Sequence, residues 1–499
     1  MSDLLLAVDL GGSGLRATAV DAGGRVVART TRTVAQHVDL PPLGRRWDPI
    51  ELRAAAHDAI AAVVGAVAPR TLDAVACTGQ RIACAALDGG GATLYAGPNT
   101  DARGLTHGWR VDEAAGGAFY ERSGRGLALL YAPARLLRLQ EDDAGLVERV
   151  RHVVGMGEWL AHLLTGELAT DACGAAELLG LDVHSGEPWL DTWRNTGLDP
   201  GWLPSRRTPG SALGEVTGVA AAATGLRPGI PVAVCPPDSM AALLGAGAGQ
   251  GDSLVLAGSS MPVLAPAPEP RRDPGRRTWG TPHPLTGFVC ESNAGPTGLG
   301  WAWLAERLVG GIAAVGADGA HALAERLAAT AAPGAAGALG FAGGASVLDA
   351  TRPSTFLPRM RVVAWPSEIL GAGVGAAELL RAGLEEVAHS ARANLEQAEA
   401  VRGGAGRLLV AGGMARSRLF AEILAGVCGR PVGVLDETDA TALGAAACAS
   451  VAAGDHPELG AAVEALRRPP VEIGPGDGTM AYEESHRGWR ALYAQLESL

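Results

Sequence analysis

The pattern of hydrophobic and polar positions in the first half of the chain alternates between short apolar runs and longer stretches of helical periodicity. Three strand-like runs come first, separated by glycine-rich turns, and a helical stretch follows. The pattern predicts strands over 4–10, 15–20, 25–33, 74–77 and 232–235, and helices over 51–68, 133–165 and 239–248. This order of elements is typical of an α/β fold.

The second half begins with the same kind of signal. A strand over 253–256 runs into Gly258-Ser259-Ser260, much as the first strand runs into Gly11-Gly12-Ser13. The remaining pattern predicts helices over 297–332 and 374–401, a surface loop over 265–284, a strand over 408–410, and a last helix from 440 to a glycine at 454. We therefore expect two domains, 1–248 and 249–499, related by a weak internal repeat.

Composition narrows the classes of protein. The 499 residues are 47% hydrophobic and 19% charged, with a net charge of −12, which favours a globular protein and disfavours general binding to nucleic acid or to an anionic membrane. The N-terminus lacks a basic segment, and no apolar run reaches the ~18 residues of a membrane span. The seven cysteines include no Cys-x-x-Cys pair, which indicates reduced thiols. We expect a cytoplasmic protein.

The chain contains no lysine. A P-loop needs a lysine after its glycines, a protein kinase needs one on a strand, and Schiff-base enzymes need a lysine amine. If the protein handles ATP, it must therefore do so through a different architecture.

The first candidate site is the segment from Asp9 to Arg16. Gly11, Gly12 and the following Ser13 allow a tight turn whose N–H groups point at one anion, and Arg16 follows the turn. A carboxylate at the end of an apolar strand is costly unless a cation or donors accompany it, and Mg²⁺ would satisfy Asp9. The alternative is an ordinary hairpin with a solvated aspartate.

Further candidates lie at the ends of later strands. Asp238 begins a helix, where it is either an ordinary cap or the general base for an attacking hydroxyl. Gly258-Ser259 is a candidate second phosphate loop, and Gly412-Gly413 permits close approach of a nucleoside.

Polar residues also follow the strand at 74–77. Gln80 and Arg81, together with Asn99, Asp101 and Arg103, are able to hydrogen-bond a polyhydroxy ligand, or they form a solvated loop.

The order and spacing of these segments resemble those of the FGGY family of carbohydrate kinases, over about residues 4–452. The segments that carry the resemblance are DLGGSGLR at 9–16, GQR at 79–81, NTDAR at 99–103, YAPARLLRL at 131–139, PDSMAALLGAG at 237–247, LAGSS at 256–260, RAGLEE at 381–386, VAGGMARS at 410–417 and ATALGAA at 440–446. The resemblance implies duplicated ribonuclease-H-like (actin-like ATPase) domains with an interdomain cleft. It also implies ATP and Mg²⁺ as cofactors, a sugar or polyol substrate and a homodimer.

The resemblance also implies roles for single residues. Asp9 would hold Mg²⁺ through water and Asp238 would be the catalytic base. The remaining assignments are Gly11, Gly12, Ser13, Arg16, Gly258 and Ser259 at the phosphates, Gly412, Gly413 and Ser417 at the adenosine, and Gln80, Arg81 and Asp101 with Asp238 at the substrate. Ser417 departs from the family pattern, which often has Asn there.

The substrate indications point in several directions. Gln80-Arg81-Ile82 is only partly like the Gln-Arg-Glu of glycerol kinases and differs from the Gln-Met-His of xylulokinases, whereas 98–103 is similar to autoinducer-2 kinases and xylulokinase-like members. We expect phosphorylation of a ketopentose such as xylulose or of a related dihydroxyketone, with glycerol-type and autoinducer-2-type kinases as alternatives. A non-catalytic nucleotide-binding sensor and an actin-like ATPase are the alternatives from other classes.

Overall fold

The structure, a computed structural model, describes residues 2–12, 14–41, 43–68, 70–313, 319–340, 345–349, 351, 374–435 and 440–497. The strands of the first half are β1 Leu4–Gly11, β2 Gly14–Asp21, β3 Val26–Arg32, β4 Gln36–Leu40, β5 Gly44–Trp47, β6 Leu72–Gly79, β7 Cys84–Leu87, β8 Thr93–Gly97, β9 His152–Gly155, β10 Ala169–Thr170, β11 Ser205–Arg206, β12 Ala212–Glu215 and β13 Pro231–Ala233. Its helices are α1 Pro49–Val67, α2 Gly108–Ala114, α3 Phe119–Ser123, α4 Ala132–Asp142, α5 Ala144–Glu148, α6 Met156–Thr165, α7 Ala172–Glu177, α8 Asp191–Asn195, α9 Gly218–Thr224 and α10 Asp238–Gly245.

The second half continues the α/β organisation. Its strands are β14 Ser253–Leu256, β15 Pro262–Ala267, β16 Trp279–Pro282, β17 Phe288–Asn293, β18 Leu408–Ala411, β19 Val432–Val434 and β20 Val471–Ile473. Its helices are α11 Thr297–Ala313, α12 Ala320–Ala328, α13 Ala376–Arg402, α14 Arg418–Cys428, α15 Ala440–Ala452, α16 Leu459–Leu466 and α17 Thr479–Glu497. Short 3-10 turns lie at Arg103–Thr106, Ala128–Leu130, Pro200–Trp202, Ala335–Gly337 and Gly413–Arg416.

Two large sheets share one pattern of strands. The first runs β12-β13-β6-β1-β2-β3 and the second β16-β17-β15-β14-β18-β19-β20. In each, the opening strand pairs antiparallel with the next strand and parallel with a later one: β1 with β2 and β6, and β14 with β15 and β18. A second parallel neighbour follows in both, β13 beside β6 and β19 beside β18. The weak repeat in the sequence therefore corresponds to a repeated topology.

The helices α10 and α15 connect the two sheets. Met240 and Leu243 of α10 belong to a core cluster with strands of the second sheet, whereas Ala241 and Leu244 pack toward the first. Helix α15, which comes from the second half, covers one face of the first sheet. The domain boundary at 248/249 therefore stays a prediction. In the structure, helices of each half pack against the sheet of the other half.

Glycines permit α10 and α15 to approach closely. A Cβ at Gly444 would lie 1.8 Å from the carbonyl oxygen of Ala241, and a Cβ at Gly245 would lie 1.9 Å from that of Ala440. Such separations are far inside van der Waals contact, so a side chain at either position would force the helices apart.

Two sequence-based assignments are wrong in detail. The stretch 133–165 is not one helical region, because it breaks at Asp143 and contains β9, which pairs with β7. The stretch 265–284 is not entirely loop: β15 extends to Ala267 and β16 covers Trp279–Pro282, both paired with β17. The predicted helix at 297–332 is α11 and α12, and residues 314–318 between them lie outside the described residues.

Candidate active site

The predicted residues of the first half meet because their strands are parallel neighbours. β1, β6 and β13 lie side by side, so their carboxyl ends share one edge of the sheet, where α/β proteins bind ligands. The backbone N–H of Gln80 donates to the carbonyl of Leu10 at 2.9 Å, and the Thr78 hydroxyl donates to the carbonyl of Pro236 at 2.7 Å. These bonds join the segments that carry Asp9, Gln80 and Asp238.

The first loop holds Asp9 against Arg16. The Asp9 side chain is buried, and its Oδ2 accepts from Nε of Arg16 at 3.2 Å and from Nη2 at 2.5 Å. A Cβ at position 11 would lie 2.7 Å from that Nη2, so the guanidinium group of Arg16 fits there only because residue 11 is glycine. A Cβ at Gly12 would meet nothing within 4 Å, which leaves open space beside the pair. Ser13 lies outside the described residues.

This loop fits a nucleotide-bound Mg²⁺ better than a metal held by protein alone. Among the described residues no group of three or more His, Cys, Asp or Glu side chains is arranged to hold a metal ion. Mg²⁺ in phosphoryl-transfer sites is held by one or two carboxylates together with phosphates and water. Asp9, a carboxylate beside the open space at Gly12, suits that role.

Asp238 stands at the first position of α10, with Pro237 as the N-cap. Its Oδ1 accepts from the N–H of Ser239 at 2.7 Å and is 3.3 Å from the Ser239 hydroxyl. Burial raises the pKa of Asp238 to about 6; the charges of Arg81 and Arg16 pull this pKa down, and Glu177 pushes it up. Asp238 is therefore a carboxylate near neutral pH, close to the value that suits a general base.

A narrow cavity beside Asp238 is lined by Gln80, Arg81, Glu158, Glu177 and Cys235, among other residues. Gln80 and Arg81 were predicted from the sequence and both lie here. The Oε1 of Gln80 accepts from the backbone N–H of Asn99 at 3.1 Å, which turns its Nε2 away from that loop.

Sequence reasoning missed a buried set of ion pairs behind this cavity. Arg81 makes a two-pronged pair with Glu291 of β17, with Nη2 at 2.5 Å from Oε1. Arg125 pairs with Glu177 at 2.5 Å and also donates to the Thr281 hydroxyl at 2.8 Å. The sequence contains one signal for this set, which is Glu291 itself. It lies within a short, mostly apolar segment, and a buried carboxylate needs a partner.

Asp101 does not line this cavity. Its side chain is fully buried, accepting from the N–H of Arg45 at 3.0 Å, from Nε of Arg103 at 2.7 Å and from the Tyr95 hydroxyl. These contacts give it an internal role: it ties the loop after β8 to β5. A substrate contact by Asp101 stays a prediction that this arrangement does not favour.

The two loops predicted to bind the nucleotide also share one edge, that of the second sheet. Gly258 and Ser259 follow β14, and Gly412 and Gly413 follow its parallel neighbour β18. Gly412 has a φ of 99°, and a Cβ there would lie 2.7 Å from the carbonyl oxygen of Ala257, so the two loops touch. A Cβ at Gly413 would meet nothing within 4 Å.

Ser417 is engaged within the protein. Its hydroxyl oxygen accepts from the N–H of Phe420 at 3.0 Å, which caps α14, and the hydroxyl donates to Oε1 of Glu325 at 2.6 Å. A contact from this hydroxyl to adenosine stays a prediction.

Among the residues that the structure describes, no helix is long and apolar enough to cross a bilayer.

Comparisons with known proteins agree with the two-sheet organisation. The model of the FGGY family of carbohydrate kinases matches in two parts, its N-terminal domain over residues 4–245 and its C-terminal domain over 257–453. The autoinducer-2 kinase of Salmonella typhimurium is 30% identical, with 99% of this chain and 95% of that protein covered.

Solved structures give the same answer for the fold. The xylulose kinase from Rhodospirillum rubrum superimposes with a TM-score of 0.82 at 26% identity, and 99% of each chain is covered. A kinase from Brucella ovis, described as a xyloylose kinase, has a TM-score of 0.84 at 22% identity over 99% of each chain and supports the fold alone. The expected fold of duplicated actin-like ATPase domains is confirmed. The chain belongs to the FGGY family of carbohydrate kinases and is a phosphotransferase, in a family whose kinases use ATP, generally with Mg²⁺.

Proposed function

We propose that this protein transfers the γ-phosphoryl group of ATP to a hydroxyl of a ketopentose such as xylulose, or of a related dihydroxyketone. One observation carries the proposal: Asp238, with a pKa raised to about 6, directly follows Pro237, which lines a cavity together with the polar side chains of Gln80 and Arg81. A carboxylate in this position is able to accept a proton from an acceptor hydroxyl bound in the cavity.

Each part of the site has a chemical task in this proposal. Asp238 accepts the proton of the attacking hydroxyl, and the helix N-terminus it occupies favours its ionised form. Backbone N–H groups of the loop at Gly11–Gly12 and of Ser259 donate to phosphate oxygens, where negative charge must be stabilised. The N–H of Gly258 instead donates to the carbonyl oxygens of Leu256 and Ser260, and Gly258 shapes this loop. Asp9 would hold Mg²⁺, which neutralises phosphate charge when bound.

The names of the relatives support the proposed substrate class. The relative that is 30% identical is called an autoinducer-2 kinase, and the structural neighbour that is 26% identical is called a xylulose kinase. An autoinducer-2-type activity is therefore the second candidate, and a glycerol-type activity the third. A homodimer and the adenosine role of Gly413 stay proposals.

The test is direct measurement of ADP release with Mg-ATP and a panel of ketopentoses, aldoses, glycerol, other polyols and the autoinducer-2 precursor. We expect one acceptor to have a markedly higher kcat/KM than the rest. ATP hydrolysis that no acceptor stimulates would instead favour an actin-like ATPase, and ATP binding without turnover would favour a sensor.

A variant separates catalysis from binding. Asp238→Asn should lower kcat by about 10²–10⁴-fold, the usual contribution of a general base, while the Kd for ATP changes little. Asp143→Asn, which changes an aspartate at the start of α5, is the matched control and should leave kcat unaffected. Unchanged turnover in Asp238→Asn would refute the assignment of the base.

A further inference from the structure

The charges around the acceptor cavity carry an inference about which acceptors the enzyme takes. We propose that Glu177 is a specificity residue, which receives a hydrogen bond from a hydroxyl of the acceptor and rejects carboxylate-bearing analogues. The inference rests on the proposed kinase function and narrows its substrate class.

The arginines beside the cavity are already neutralised. Arg81 has both of its terminal nitrogens on Glu291, whose side chain has no exposed surface. Arg125 is committed to Glu177 and lies 3.6 Å from Glu291. An anionic acceptor needs a cation with free donors that faces it. Nε and Nη1 of Arg125 have no hydrogen-bond partner among the described residues, but Arg125 does not line the cavity, and Arg81, which does, is bound to Glu291.

Two polar atoms at the cavity have no partner within the described structure. They are Nε2 of Gln80 and Oε2 of Glu177, and both side chains are buried. A buried donor and a buried acceptor without partners are costly, so each indicates a group that a ligand supplies. An alcohol satisfies both, because its oxygen accepts from Gln80 and its hydrogen is donated to Glu177.

A carboxylate satisfies only one of them. Its oxygens accept from Gln80, but it has no hydrogen for Glu177, and the two negative charges repel each other at short range in a buried site. The cavity therefore binds an alcohol in preference to the corresponding acid for two reasons: the acid carries a negative charge, and its carboxylate has no hydrogen to donate to Glu177.

Glu158 adds to this discrimination. It lines the same cavity, and its Oε1 accepts from the Thr170 hydroxyl at 2.5 Å. Glycines make room for it: a Cβ at Gly155 or at Gly174 would lie 2.5 Å from one of its oxygens. Burial raises the pKa of Glu158 to about 7, so at neutral pH about half of these carboxyls are ionised, and that half repels a bound anion.

The test compares acceptors in matched pairs in which one terminal hydroxymethyl group is replaced by a carboxylate: D-xylulose with D-threo-2-pentulosonate, glycerol with D-glycerate, and D-glucitol with D-gluconate. For the pair that contains the best acceptor, we expect kcat/KM of the neutral member to exceed that of the acid by about 100-fold or more, the scale of one misplaced buried charge. An acid phosphorylated as well as its neutral partner would overturn the inference while leaving the kinase function intact. If no member of any pair and no acceptor of the wider panel is phosphorylated, the proposed function fails and this inference falls with it.

A variant locates the discrimination. Glu177→Gln keeps the shape but removes the charge and supplies a donor, so the preference for the neutral member should fall by about 10-fold or more through a lower KM for the acid. Glu385→Gln, which alters another buried Arg–Glu pair that lies on α13, is the matched control and should leave the preference unchanged. An unchanged preference in folded Glu177→Gln would remove the role of Glu177. If Glu177→Gln does not fold, the ratios of the unaltered enzyme decide.

Discussion

The raised pKa of Asp238 predicts how the reaction depends on pH. Burial is the largest influence and brings the pKa to about 6, against the ordinary 3.8. The base works only when ionised, so the rate falls as the pH drops through that value. With a pKa of about 6, the ionised fraction is about 0.9 at pH 7 and about 0.09 at pH 5, a roughly tenfold loss. An ordinary carboxyl would lose less than about a tenth over the same range.

The measurement is kcat/KM for the best acceptor between pH 4.5 and 8, at constant ionic strength, with ATP and Mg²⁺ saturating so that the nucleotide stays in one complex. Glu158 lies in the same cavity with its own raised pKa, so Glu158→Gln is needed beside the unaltered enzyme. The acid limb near pH 6 should persist in Glu158→Gln and vanish, with most of the activity, in Asp238→Asn. A limb near pH 4, or one that disappears in Glu158→Gln alone, would refute the assignment to Asp238.

Two further predictions use matched glycines. Gly444→Ala should destabilise the protein by about 1–3 kcal/mol, because its Cβ would overlap a backbone carbonyl of α10. Gly65→Ala, which has open space around it on α1, should stabilise the protein by up to about 1 kcal/mol. Urea unfolding measures both changes in the free energy of unfolding, and changes of equal sign would contradict the packing of α10 on α15. Gly413→Val should leave unfolding nearly unaltered but raise KM for ATP by about 10-fold or more if a nucleoside fills the space there. Gly412→Ala should lower stability even without ATP, because of its φ of 99°.

The parts of the fold that depend on local signals were predictable from the sequence. Three strands separated by glycine turns at residues 4–33, and glycine pairs after later strands, are short-range features, and the structure has strands and turns at those places. The strand order was not available from local pattern. The family resemblance implied a duplicated actin-like fold, and the shared topology of the two sheets agrees with that duplication.

The errors have physical causes. The prediction of helical periodicity over 133–165 extends across β9, although Val153 and Val154 themselves favour a strand. Pairing with β7 fixes these residues as a strand. Prolines and arginines around 265–284 are typical of loops, yet Pro266 of β15 lies opposite Val289 of β17. This pairing joins residues that are distant along the chain, so local composition does not predict it.

Only some of the residues at the proposed acceptor cavity were predictable from the sequence, because the others depend on contacts between distant parts of the chain. Gln80 and Arg81 directly follow a strand, which marks them as candidates, whereas Glu177 and Glu291 gain meaning only through partners that are distant along the chain. The hydrogen bond from Arg81 to Glu291 spans 210 residues and joins the two halves. No window of sequence contains such a pair.

This pairing has a consequence for how the site is assembled. Arg81 lies in the loop that follows β6 of the first sheet, and Glu291 lies in β17 of the second. Asp238 begins the helix α10, which packs against both sheets. The Thr441 hydroxyl at the start of α15 lies 3.5 Å from the carbonyl oxygen of Asp238, a contact that also comes from the second half. The base and the acceptor cavity are thus positioned by both halves at once. Because a buried ion pair is lost when its partners separate, displacement of one sheet from the other would leave Arg81 uncompensated beside Asp238 and lower the pKa of this base. The geometry that forms the proposed acceptor cavity is therefore also the geometry that maintains the raised pKa of Asp238, the proposed base.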